Sequence, residues 1–115
     1  AAFALTNAIT DADAPGALKA LDGVLRIRGA EFQALGSIAW HLRRALQAQQ
    51  EITAGGKPNL KMPYRQQSAF LAMLKRRSQR RLQADMRSLI STDLGMKSGM
   101  NPKNALQELV MSLCS

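Results

Sequence analysis

Asp93-Leu-Gly-Met-Lys97-Ser-Gly99-Met-Asn101-Pro102-Lys-Asn-Ala105-Leu106-Gln-Glu-Leu109-Val110-Met-Ser-Leu113-Cys114 reads as two helices joined by one tightly specified corner. Asp93 and Lys97 stand four apart with the acid on the N-terminal side, the favourable order for a helical ion pair, and Lys97 also offsets the negative end of the helix dipole. Gly99 predicts the stop, because glycine takes the left-handed conformation of the residue past a helix C-terminus without a Cβ clash. Asn101 predicts a cap for the next helix, its side-chain oxygen accepting from a first-turn amide. Pro102 suits the first helical position, where a missing N–H costs nothing. Leu106, Leu109, Val110 and Leu113 recur at three- and four-residue steps and form one apolar stripe, with Lys103, Gln107 and Glu108 mostly away from it. A helix this short is not stable alone, so the stripe demands a partner surface.

The same signals recur upstream. A short first helix is expected over roughly Phe3 to Thr10, after which Asp11 and Asp13 read as helix-capping residues. Pro15 suits a first turn, and a second helix runs to about Arg28 on Leu18, Leu21, Val24 and Leu25, with Gly29 as its stop. The third and longest covers about Glu31 to Thr53 on Phe32, Leu35, Ile38, Ala39, Leu42, Leu46 and Ile52, and ends at Gly55-Gly56. Gly36 inside it costs about 1 kcal/mol relative to alanine, a cost that close approach of a neighbouring helix would offset. Lys57 to Met62 is a loop. Pro63 opens a fourth helix carrying Phe70, Met73 and Leu74, and a fifth runs from about Ser78 to Lys97 on Leu82, Met86, Leu89, Ile90 and Leu94. With β-branched residues too sparse for a run of strands, the expected fold is all-α, a compact bundle of about six helices in a single domain over residues 1–115. Aromatic residues are only 4% of the chain, so leucine, alanine and methionine must fill its core.

Length and charge narrow the function classes. A chain of 115 residues is large enough to bury a core without staples. Its one cysteine, Cys114, cannot form an internal disulfide, which favours a reducing, cytoplasmic setting, and Cys114 itself reads as a small apolar residue near a frayed terminus. No run of eighteen apolar residues and no basic-then-apolar leader is present, so neither a membrane span nor a secretory signal is expected. A start at Ala1 reads as a fragment. The formal charge of +8 favours acidic partners, and nine of the sixteen basic residues lie between Lys57 and Arg87 against the single acid Asp85.

The closing corner resembles the C-terminus of the delta subunit of the bacterial DNA polymerase III clamp loader. That family tends to end with an acidic residue, Lys-Thr-Gly or similar, a few polar residues, then Ala-Leu-Glu and an apolar helix. Asp93, Lys97-Ser98-Gly99, Ala105-Leu106 and Leu109 to Leu113 take those places, with Ser98 for the usual threonine and Gln107 where the family often has glutamate. Asp93, Lys97, Gly99, Pro102 and Leu106 would be its structural signature. Phe3-Ala-Leu5-Thr-Asn7-Ala8-Ile9 resembles the family's opening Phe-x-Leu-(Thr)-(Asp/Asn)-Ala-Ile, and Ala17-Leu18, Leu21 and Leu25 before Gly29 follow in order, so the similarity spans nearly the whole chain.

The resemblance implies a collar domain, about the last third of a longer subunit, that assembles with delta prime and gamma/tau into a hetero-pentamer placing the sliding clamp on primed DNA. It implies no catalysis by this domain, since ATP hydrolysis in the family belongs to gamma/tau and clamp opening to the N-terminal part of delta. Apolar surface left over after bundle closure would carry the assembly, with Trp40, Leu60, Met62, Met100 and Val110 as candidates.

Two other readings stay open. Lys75-Arg76-Arg77-Ser-Gln-Arg80-Arg81 sets five cations in seven residues, either a solvated charged corner or a set of phosphate contacts in a free-standing nucleic-acid-binding module. Five contacts to duplex DNA would give a slope of about −4.5 in log affinity against log salt. Tyr64, Phe70 and Trp40 are too scattered along the chain to predict a stacking platform. A small helical enzyme is the third reading, and no convergent acid, base and nucleophile can be named for it. His41, the only histidine, lacks a Cys/His/carboxylate cluster and is expected at a surface or boundary beside Trp40, with no metal. Gly55-Gly56-Lys57 lacks phosphate-loop spacing and follows a helix instead of a strand, so no cofactor is indicated. The six methionines suit gap filling better than a binding groove.

Overall fold

Among the described residues, helix-stop chemistry gives six helices, α1 (Ala4–Thr10), α2 (Ala14–Leu25), α3 (Glu31–Thr53), α4 (Tyr64–Arg76), α5 (Gln79–Lys97) and α6 (Pro102–Leu113). The computed structural model describes residues 3–115, and among them there is no strand. The fold is the all-α bundle of about six helices that periodicity predicts.

The α5–α6 corner is built as its residues dictate. Gly99 takes φ +102°, the Met100 amide donates to the Gly95 carbonyl at 2.9 Å and the Gly99 amide to Met96 at 3.4 Å. This double closure is the Schellman arrangement, and Met100 folds back over Gly95 as its apolar contact. Asn101 Oδ1 then accepts from the Asn104 amide at 3.0 Å to start α6, and Lys97 reaches Asp93 at 3.0 Å on the exposed face of α5. α3 ends the same way, with Gly55 at φ +86° and the Gly56 amide on the Glu51 carbonyl at 2.9 Å.

At the end of α1 the same turn is made without glycine. The Asp13 amide donates to the Ala8 carbonyl at 2.9 Å and Ala12 to Ile9 at 3.0 Å, which holds Ala12 at φ +54°. Asp13 caps α2 in turn, accepting from the Gly16 amide at 3.0 Å, and Asp11 is the residue that closes α1. Both aspartates therefore sit at helix ends, where the sequence suggests. α2 stops at Leu25, three residues before Arg28, and a tight turn with Ile27 bonded to Val24 leads to Gly29 and α3.

α3 packs along α5, and α6 fills the space beside α2, α3 and α5. Leu21, Ile38, Leu82, Leu106, Val110 and Leu113 form the most deeply buried set, each contributing roughly 1.5–3 kcal/mol of burial. Val110 is thus core, and its candidacy for an intersubunit surface is withdrawn. The twelve residues that periodicity assigns to the α5 and α3 stripes divide differently in space. Leu82, Asp85, Leu89 and Met96 are the buried residues of α5, while Ile90 and Leu94 are 52% and 59% exposed and Phe32 of α3 is 49% exposed. One residue along a helix is a rotation of about 100°, so a stripe that includes Asp85 and Leu89 turns Ile90 and Leu94 to its flank. Ile52 lies half outside as well. Gly36 shows no close helix approach, because a Cβ there would meet nothing within 4 Å.

Two of the left-handed turns give opposite expectations. Ala12→Gly should stabilise the fold by ~0.5–1 kcal/mol, the left-handed penalty less the chain entropy that glycine adds to the unfolded state, and Gly99→Ala should destabilise it by ~1–2 kcal/mol. Urea midpoints with unchanged m-values check both.

Candidate functional site

The basic segment that sequence singles out falls on the turn between α4 and α5. Ser78 caps α5 by accepting from the Arg81 amide at 3.1 Å, and Arg77 is the one extended residue that closes α4. That geometry turns Arg77 inward. Its guanidinium forms a two-pronged pair with Asp85, Nε to Oδ2 at 2.6 Å and Nη2 to Oδ1 at 3.2 Å. It also donates to the carbonyls of Ser112 at 3.2 Å and Ser115 at 3.0 Å, at the end of α6.

Arg81 joins the same acid at 3.3 Å and the same end of α6 through Ser112 and Ser115. Arg76 donates to the Thr10 carbonyl at 2.8 Å, where the α1 dipole is negative. Three of the five candidate phosphate contacts, Arg76, Arg77 and Arg81, are therefore engaged within the protein. Lys75 and Arg80 make no ion pair or side-chain hydrogen bond among the described residues. Two free cations correspond to a salt slope of about −1.8 instead of −4.5. Asp85 is the residue that sequence reasoning missed. It is 2% exposed, and its signal was present as the lone acid of a basic stretch, one turn from Arg81.

A second feature is a groove of about 1740 Å3 walled by α3 and α4, with α1 and the 58–63 segment at its margins. Trp40, His41 and Arg44 enter it from α3, Phe70 from α4. The Arg44 guanidinium lies 4.9 Å from the Trp40 ring centroid and 5.9 Å from that of Phe70, and His41 meets Phe70 edge-on at 5.9 Å. Trp40 and Phe70, distant in sequence, are thus gathered around one cation, whereas Tyr64 is 86% exposed. Gln49 fastens α3 to the basic turn, its Nε2 donating to the carbonyls of Leu74 and Arg77, both at 2.7 Å.

His41 is not the surface or boundary residue expected. It is 4% exposed, and its Nε2 is a buried side-chain polar atom with no hydrogen-bond partner. Burial, reinforced by the positive charges of Arg44 and Arg77 and only partly countered by Asp85, lowers its pKa from 6.5 to about 4. It is neutral at pH 7. Cys114 is likewise buried, against Ile9, Met73 and Arg77, and burial raises its thiol pKa.

No group of three or more His, Cys, Asp and Glu side chains converges among the described residues as a metal site, and no described helix is long and apolar enough to cross a membrane. Compared with known proteins, the chain matches no family model, no curated protein and no solved structure.

Removing the charge of Asp85 leaves Arg77 buried and unpaired. Asp85→Asn should cost ~3–5 kcal/mol in urea unfolding, while Arg80→Gln should stay within about 0.5 kcal/mol of the parent. For His41 the folded pKa lies below the unfolded one, so the unfolded chain binds the extra proton and its contribution is full above pH 6.5 and lost as pH falls toward 4. Between pH 7 and pH 5 the parent should lose ~2 kcal/mol more stability than His41→Leu, measured by urea unfolding at both pH values.

Proposed function

We propose that this chain is the helical collar domain of a clamp-loader delta subunit, the part that joins delta prime and gamma/tau in the assembly that places the sliding clamp on primed DNA. The observation that carries the reading is the apolar surface left uncovered at one end of the bundle. Gln49, near the end of α3, reaches the turn where α5 begins, so these packed helices run antiparallel and the start of α3 lies with the end of α5. At that end Ile90, Leu94, Met100, Phe32 and Ile27 are all about half exposed or more. Exposed apolar side chains from the later half of α5, the α5–α6 corner and the start of α3 suit a subunit interface better than a surface meant for water.

The signature residues support the same reading mechanically. Asp93, Lys97, Gly99 and Pro102 build the corner that carries Met100, and Leu106, fully buried, anchors α6 in the core. The domain's work on this reading is to hold its place in the ring, so that ATP-driven movement in gamma/tau reaches the clamp. A nucleic-acid-binding module is the second reading. Lys75, Arg80 and Arg87, outside every described ion pair, are the observation in its favour.

Because Ile90 and Leu94 are exposed, Ile90→Glu with Leu94→Glu should leave the helical circular dichroism unchanged. The pair should lower association with a mixture of delta prime and gamma/tau subunits at least tenfold, read by sedimentation. Unchanged association of the variant, or a parent chain that never joins those subunits, rejects the assembly reading. Tight, salt-sensitive DNA binding that Lys75→Gln, Arg80→Gln and Arg87→Gln together abolish would favour the second.

A further inference from the structure

The groove between α3 and α4 gathers Trp40, Leu60 and Met62, three of the residues that sequence offers for assembly, and the assembly surface proposed above does not use them. Its lining on α3 extends from Gln33 to Glu51, about 27 Å at 1.5 Å per residue. Its volume of about 1740 Å3 exceeds the ~300–1,000 Å3 of small-molecule pockets. Phe70, Leu60 and Met62 supply an apolar floor. Around it stand Arg43, Arg44, Lys61 and Arg65, against only Asp11 and Glu51, and among the described residues none of the four cations makes an ion pair. His41 lines the same groove with an unpartnered, buried Nε2.

We infer that this groove docks an acidic amphipathic helix of a partner protein, its apolar face on Leu60, Met62 and Trp40 and its carboxylates on Arg43, Arg44, Lys61 and Arg65. The length accommodates about five helical turns, and helix-in-groove recognition sets apolar side chains at i, i+3, i+4 and i+7 against such a floor. The sign of the partner follows from the unpaired rim. Cationic charge outside any ion pair attracts carboxylates, speeds encounter and rejects basic segments. A single nucleic-acid strand fits less well, because stacking needs free ring faces. Arg44 covers one face of Trp40, and Phe70 is only 3% exposed.

Trp40 is the single tryptophan and 47% exposed, so its emission reports occupancy directly. The 115-residue chain would be titrated with a synthetic 18-residue helix-forming peptide carrying leucine at i, i+3, i+4 and i+7, four glutamates flanking that stripe and alanine elsewhere. A lysine version of the peptide and an 18-nucleotide oligothymidylate would be titrated in parallel. The glutamate peptide should give a saturable blue shift that weakens with salt. Arg43→Glu with Arg65→Glu, both exposed and checked for helical content, should weaken it about tenfold or more, and Ile90→Glu with Leu94→Glu should not change it, which separates this site from the assembly surface. No saturable shift with the glutamate peptide, equal binding of the lysine peptide, or tighter binding of the oligothymidylate overturns the proposal.

Discussion

One carboxylate organises the bundle. Asp85 lies among core residues of α5 and is held by Arg77 through two hydrogen bonds and by Arg81 through a third. The same guanidiniums reach the last carbonyls of α6, and the Arg77 carbonyl accepts from Gln49 of α3. Four helices therefore meet at this acid and its partners. A buried ion pair of this kind adds little net stability over an apolar replacement, because both charges must leave water. Its consequence is geometric: it sets where α4 ends, how α5 is rotated and where α6 finishes.

The rotation of α5 has effects far from the pair. With Asp85 turned inward, Ile90 and Leu94 are carried to the flank, and the apolar character of α5 becomes wider than its own bundle can cover. The surface used in the assembly proposal is thus the far side of the same choice that buries the acid. On the other wall of α3, the short span of contact with α4 leaves the groove open, and Gln49 holds the two helices together only at one end.

The cations of the basic segments fall into three uses. Arg76, Arg77 and Arg81 neutralise a buried acid and helix ends. Arg43, Arg44, Lys61 and Arg65 surround an apolar groove, and Lys75, Arg80 and Arg87 face water. The neutral His41 fits this division, since a second buried cation beside Arg44 and Arg77 would be unfavourable. Linear density of charge is thus a poor guide to where an anion binds.

Sequence alone determined the six helices of the described residues and most of their ends. Gly99, Asn101, Pro102, Gly55 and Asp13 act through local backbone geometry and short-range hydrogen bonds, so their roles are legible without knowing what packs nearby. The leucine stripe of α6 was legible for the same reason, as was the all-helical fold. Tertiary structure decided what local rules do not contain: that Ala12 takes the left-handed turn, that His41 is buried, that Val110 is core while Ile90 and Leu94 are surface, and that Trp40 and Phe70 share one cation. It also decided which arginines are free. A single buried carboxylate selects its partners by distance in space, and residues eight or thirty apart in the chain become neighbours only after the helices have packed.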